Sequence, residues 1–199
     1  MNTQVAQPAT TMFALQMQVS DGDGTCLPLI VSLHDRGGDA ASAVAAARAA
    51  FGAGPRVIAP QAARPCNPML SNFAGAHSYA GFTWHLGENE RPEPASFGDS
   101  LAQLEMLLDD AASRVILFGH GQGAVLAVAL ALHGAACVAG IAVDRPLVPA
   151  IEGWRMPERS ASPLPCLVLN ENAGDDARLS SLGIACTSET IHAWLARFE

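Results

Sequence analysis

The chain has 199 residues, half of them hydrophobic and only 15% charged, which excludes a disordered polypeptide and suits one domain, residues 1–199, with a sizeable core. Lys+Arg number 11 against 19 Asp+Glu, a formal net charge of -8 that argues against nucleic acid or an anionic membrane as the main partner. No basic-plus-apolar leader and no apolar run of about 18 residues stands in the sequence, and the five cysteines form no C-x-x-C pair, so they read as buried thiols of a cytoplasmic protein.

In chain order, Thr11–Ser20 alternates apolar and polar residues, as an outer antiparallel strand does. Asp21–Gly24, "DGDG", is a hairpin-turn signal. Cys26–His34 is a continuous apolar run, the pattern of a strand buried on both faces. The loop "DRGGDA" leads to an Ala-rich helix, "ASAVAAARAAFG", that stops at Gly52. Pro55–Gln61 is a second buried strand. Residues Ala62 to Pro94 lack periodicity, and a stretch of that length predicts a lid or pocket wall carrying His77 and His85, with Phe82 and Trp84 either lining the pocket or packed in the core. Ser96–Ser113 is an amphipathic helix with Ser96 as N-cap.

Next comes "RVILFGHGQGAVLAVALAL", Arg114 to Leu132, which reads as strand, tight turn and helix. Cys137–Asp144 and Pro165–Asn170 are further buried strands, and "GIACTSE" precedes a last helix, "ETIHAWLARFE". Buried strands alternating with helices predict an α/β architecture on a mostly parallel sheet. Ligands in such sheets bind outside the carboxyl ends of the strands. Those ends carry "HDRGG", "PQAARPC", "GHGQG", "DRP" and "NENAGDD".

The turn Gly119-His120-Gly121-Gln122-Gly123 has the glycines of a nucleophile elbow, G-x-S-x-G, with Gly121 where the serine belongs. Without a side chain there, no hydroxyl attacks. No lysine follows as in a phosphate loop, and no Cys/His set has metal-ligand spacing, so neither a cofactor nor a metal is expected.

Taken in order, "LIVSLHDRGGDA", "VIAPQAARP", "GFTWHLGENERPEPASF" and "VILFGHGQGAVLAVALAL" resemble the α/β-hydrolase superfamily. More narrowly they resemble the phospholipase/carboxylesterase group that includes acyl-protein thioesterases. The resemblance implies an α/β-hydrolase fold with a shortened C-terminal part. It implies that the oxyanion hole consists of the Arg36 and Gln122 amides. Asp35 stands where the family has glycine, and it either disfavours negative charge in that hole, or points outward or pairs with Arg36. The family acid falls near Asp175 or Asp176. No histidine lies between Ala177 and Glu189, where the family base belongs, and His192 sits on the last helix. His34 and His120 match structural positions, and His133 ends a helix whose dipole it complements. Cys66 and Cys186 read as structural thiols rather than replacement nucleophiles.

Three functions stay open. One is a non-catalytic bacterial pseudoenzyme that binds a small apolar molecule on an apolar floor, or that serves as a partner subunit, as a homodimer or paired with an active paralogue. The second is a lyase, cyclase or dehydratase using His85, His77, His120, Asp35, Arg36, Asp144 or Arg145 as acid/base groups. The third is a carboxylesterase or thioesterase.

Overall fold

The computed structural model describes residues 16–23, 27–66, 81–109, 114–133, 136–155, 157, 163–169 and 176–198. The strands are β1 (Met17–Ser20), β2 (Leu29–Leu33), β3 (Val57–Pro60), β4 (Arg64–Pro65), β5 (Phe82–Thr83), β6 (Val115–Gly119), β7 (Val138–Val143), β8 (Leu164–Val168) and β9 (Ile184–Thr187). The helices are α1 (Ala40–Phe51), α2 (Pro94–Asp109), α3 (Gln122–His133), α4 (Asp176–Ser181) and α5 (Ile191–Leu195).

Seven strands form one sheet in the order β1-β3-β2-β6-β7-β8-β9. β1 runs antiparallel to β3, and every other neighbouring pair is parallel. The apolar runs form central strands because side chains that alternate between faces both find cover. Val31, Leu33, Leu117, Ile141, Val143 and Cys166 join one core with residues of α2 and α3. Ile30, Ile116, Phe118, Ala142 and Leu167 join a second core with Ala47, Phe51, Trp194, Leu195 and Phe198. α3 is buried along almost its whole length, as its unbroken apolar sequence requires.

α1 follows the expected bounds. Asp39 caps it by accepting from the Ser42 amide at 2.7 Å, Ser42 closes the reciprocal bond, and Gly52 ends it at φ +73°. α2 departs from expectation. It begins at Pro94, and the Glu93 carboxylate, rather than Ser96, accepts from the Ala95 and Ser96 amides at 3.0 and 2.8 Å. Proline suits a first helical position because its fixed φ is already helical and it has no N–H to satisfy. α5 is shorter than its pattern, with Thr190 as N-cap. Within the pocket-wall stretch, β4 and β5 form a two-residue antiparallel ladder, too short to leave a periodic signal. Among the described residues no helix is long and apolar enough to cross a membrane.

Candidate functional site

Leu33, Gly119 and Val143 lie side by side in register at the carboxyl ends of β2, β6 and β7. Three loops therefore leave the sheet at one level, and they bring Asp35, Gly121 and Asp144 together over the start of α3. A cavity of about 290 Å³ opens there, lined by Asp35, Asn89, Gly121, Val125, Asp144, Arg145 and Leu147.

The elbow is a close backbone crossing. A Cβ on Gly119 would meet the Gly123 backbone, and a Cβ on Gly123 would meet the Leu33 backbone, both inside van der Waals contact. Gly121 has φ +51°, the left-handed conformation that a strand-to-helix elbow imposes and that glycine adopts without strain. Its absent side chain is replaced in space. A Cβ built on Gly121 would fall onto the carboxylate of Asp35.

That carboxylate takes two backbone amides. The Arg36 and Gln122 N–H groups donate to Asp35 Oδ1 at 2.7 and 2.9 Å. The two amides converge on an anion supplied by the chain itself. Backbone N–H groups at a helix start favour such an anion by both hydrogen bonding and the helix dipole. Asp35 is an exposed residue, yet its carboxylate turns onto these amides rather than onto the Arg36 side chain, whose guanidinium donates to the Gly87 carbonyl.

Asp144 forms the opposite wall. It accepts from the Gly121 N–H at 3.2 Å and from the Arg145 N–H at 2.8 Å, and the His120 ring stands 3.8 Å away. Burial would raise its pKa, but His120 and these amides outweigh burial and hold it below the ordinary carboxylate value. His120 itself packs edge-on against Phe118, ring centres 4.8 Å apart. The Arg145 guanidinium reaches Glu90 at 3.3 Å.

Several expected pocket residues belong instead to the core. Trp84 is wholly buried, stacks on His34 at 5.0 Å and donates to the His34 carbonyl at 2.9 Å. Phe82 sits in β5 and packs against the same core. His85 is wholly buried against Phe97, and burial pushes its pKa down to about 4, helped by Arg36 and Arg64 against the pull of the Leu86 carbonyl. None of these three lines the cavity. They turn inward because the Gln122 side chain pins their segment: Thr83 Oγ1 and the Trp84 N–H lie 2.8 and 3.0 Å from Gln122 Oε1, and Gln122 Nε2 donates to the His85 carbonyl at 2.8 Å. His34 accepts from the Ala62 N–H through Nε2 at 3.2 Å and is structural, while His133 meets Glu105 at 3.1 Å at the end of α3.

The expected apolar floor is corrected as well. Val125 and Leu147 supply apolar surface, but the space above Gly121 holds the Asp35 carboxylate and most of the lining is polar. Asn89 and Leu147 were missed by sequence reasoning, whereas Val125 belongs to the apolar run behind the elbow. Only Val125 had a usable signal, since it lies one helical turn after Gly121 on the same face of α3.

Asp175 and His77 lie outside the described residues. Asp176 begins α4. The turn between β9 and α5 is Ser188-Glu189-Thr190, and His192 is an exposed residue of α5. Cys66 donates its backbone N–H to the Gly81 carbonyl beside the β4–β5 ladder, and Cys186 lies within β9. Among the described residues no group of His, Cys, Asp and Glu is arranged to hold a metal.

No protein-family model matches the chain, and no curated protein matches it in sequence. Solved structures do match it in shape. The Bacillus cereus carboxylesterase superposes with a TM-score of 0.68 at 14% identity, over 94% of this chain and 95% of that one. A carboxylesterase from Mesorhizobium loti gives 0.60 at 20% identity, over 80% and 77% of the two chains. The Zea mays acyl-protein thioesterase 2 gives 0.59 at 17% identity, over 88% and 89%. The architecture is therefore that of the α/β-hydrolases, and identities this low speak to the fold alone.

Proposed function

We propose, starting from the α/β-hydrolase fold of this chain, that it does not carry out serine-dependent acyl transfer and that its elbow cavity binds a small molecule non-covalently. One observation carries this reading: the Asp35 carboxylate accepts both amides of the would-be oxyanion hole and fills the volume of the side chain at position 121. An ester carbonyl gains its catalysis from donors aimed at the oxygen where negative charge develops. Here a resident carboxylate uses those donors, and it would repel the developing charge. The elbow has no hydroxyl, and the turn Ser188–Thr190 has no histidine to activate one.

The lining also narrows the ligand. Asp35, Asn89, Asp144 and Arg145 line a cavity with one apolar side, so the occupant is a small polar molecule that exchanges hydrogen bonds with both carboxylates and the guanidinium rather than the purely apolar one expected from the sequence. The adjacent His120 and Asp144 are the groups that a non-hydrolytic acid/base reaction would use, and they favour that alternative over esterase activity.

The test uses a fluorophosphonate probe and short-chain p-nitrophenyl esters on the wild type and on Gly121→Ser. The expected result is no labelling of the wild type and ester turnover at the buffer rate for both proteins. Labelling or rapid turnover of the wild type would overturn the reading. Turnover in Gly121→Ser alone would show that a base is present after all.

A further inference from the structure

Cys166 and Cys186 face each other across the last two strands of the sheet. β8 and β9 run parallel, and the register pairs Leu164 with Ile184, Pro165 with Ala185, and Cys166 with Cys186. Side chains of in-register partners leave the sheet on the same face. Here that face is the larger core, which contains Leu164, Cys166 and Ile184 and against which Cys186 packs. Neighbouring strands lie about 4.8 Å apart, inside the range of about 4.4–6.8 Å between the Cα atoms of a disulfide. Cys166 and Cys186 are both thiols in this structure. Cys166 is fully buried, whereas Cys186 lies on the edge strand and is partly exposed, so of the two residues Cys186 is the nearer to solvent.

We propose that Cys166 and Cys186 form a reversible dithiol–disulfide pair that staples the edge strand β9 to β8. The oxidant is a small disulfide such as oxidised glutathione. The Cys186 thiolate attacks one sulfur of it, a Cys186–glutathione bond forms, and the glutathione S–S bond breaks. The departing glutathione thiolate takes up the proton that Cys186 released. The Cys166 thiolate then attacks the Cys186 sulfur, the protein disulfide forms and the second glutathione leaves as a thiol. Two protein thiols are oxidised and one disulfide is reduced to two thiols. Directly opposed positions in parallel strands hold their Cβ atoms farther apart than the roughly 3.8 Å of a relaxed disulfide, so the bond forms under strain and a dithiol reductant opens it readily. The other described cysteines are placed differently. Cys66 lies beside the β4–β5 ladder, and the Cys137 thiol contacts the Leu108 carbonyl at 3.5 Å and is pushed up in pKa by burial.

The full chain is incubated with oxidised glutathione, alkylated, digested and mapped by mass spectrometry. The expected result is a fall in alkylatable thiols from five to three, with a single cross-linked peptide pair joining Cys166 to Cys186. Dithiothreitol restores all five. Urea-unfolded protein is expected to yield a mixture of pairs, which separates native geometry from chance. Cys186→Ser is expected to leave Cys166 fully alkylatable, and Cys166→Ser to stop at the glutathione adduct on Cys186. No loss of thiols in the folded wild type, a persistent Cys186–glutathione adduct there, or a different dominant pair overturns the proposal.

Discussion

Asp35 and Gly121 compete for one volume at the elbow, and each makes the other tolerable. The glycine leaves room for a carboxylate, and the carboxylate satisfies two amides that would otherwise point into an empty cavity. Adding a serine side chain at position 121 must either overpack the turn or expel Asp35 from its hydrogen bonds. Gly121→Ser is therefore expected to cost about 1–3 kcal/mol more in the wild-type background than in an Asp35→Ala background. A double-mutant cycle by urea denaturation reads this coupling directly, because the backbone strain of a non-glycine residue at φ +51° is common to both arms. Additive effects would mean that the two residues do not share space. The sequence showed the glycine and the misplaced aspartate, yet it left open whether Asp35 faced in or out. That choice depends on the Gln122 amide, 87 positions away along the chain.

At the scale of elements, Gln122 is the peg between α3 and the segment that follows the β4–β5 ladder. Its backbone N–H serves the elbow and its side chain serves Thr83, Trp84 and His85. Gln122→Ala leaves the buried Trp84 N–H without its partner and the His85 carbonyl with the Thr83 hydroxyl as its remaining donor, and it is expected to cost about 1–3 kcal/mol with faster amide exchange at Trp84. A loss under about 1 kcal/mol, with Trp84 exchange unchanged, would contradict the pinning role. The central strands were legible because each is an apolar run between turn residues. α1 was legible from its Ala-rich run and Gly52. The start of α2 was misread because Ser96 is a familiar capping residue, while a glutamate ahead of proline is a weaker signal. β5 was illegible because two residues show no period, and because its partner strand is set by the fold rather than by neighbours in sequence.

For the molecule as a whole, the buried histidine couples the fold to pH. His85 is neutral when folded, with a pKa near 4 against 6.5 for the free side chain. Between those values the unfolded chain binds more protons, so stability falls as pH drops from about 6.5 towards 4 and is unaffected by this group above that window. The swing is about 3 kcal/mol, and His34, also lowered by burial, acts in the same direction. Thermal melts across that range should show the loss, and His85→Leu should flatten it. Parallel curves for the two proteins would show that His85 does not carry the effect. The carboxylates of Asp39, Glu93 and Asp144, whose pKa values are lowered in the fold, surrender their contribution only at more acid pH. By itself, the sequence determined the alternation of buried strands and helices, the elbow with its vacant central position, and the carboxyl ends where a site would assemble. Those features are local, written in periodicity and in the glycines that a tight crossing demands. Only the tertiary structure decided that Trp84 and His85 turn into the core and that Asp144 meets the Gly121 amide. It also decided that the Asp35 carboxylate takes the Arg36 and Gln122 amides. Each of these depends on which loops leave neighbouring strands at the same level, and the order β2-β6-β7 comes from packing both faces of one sheet rather than from any adjacent stretch of residues.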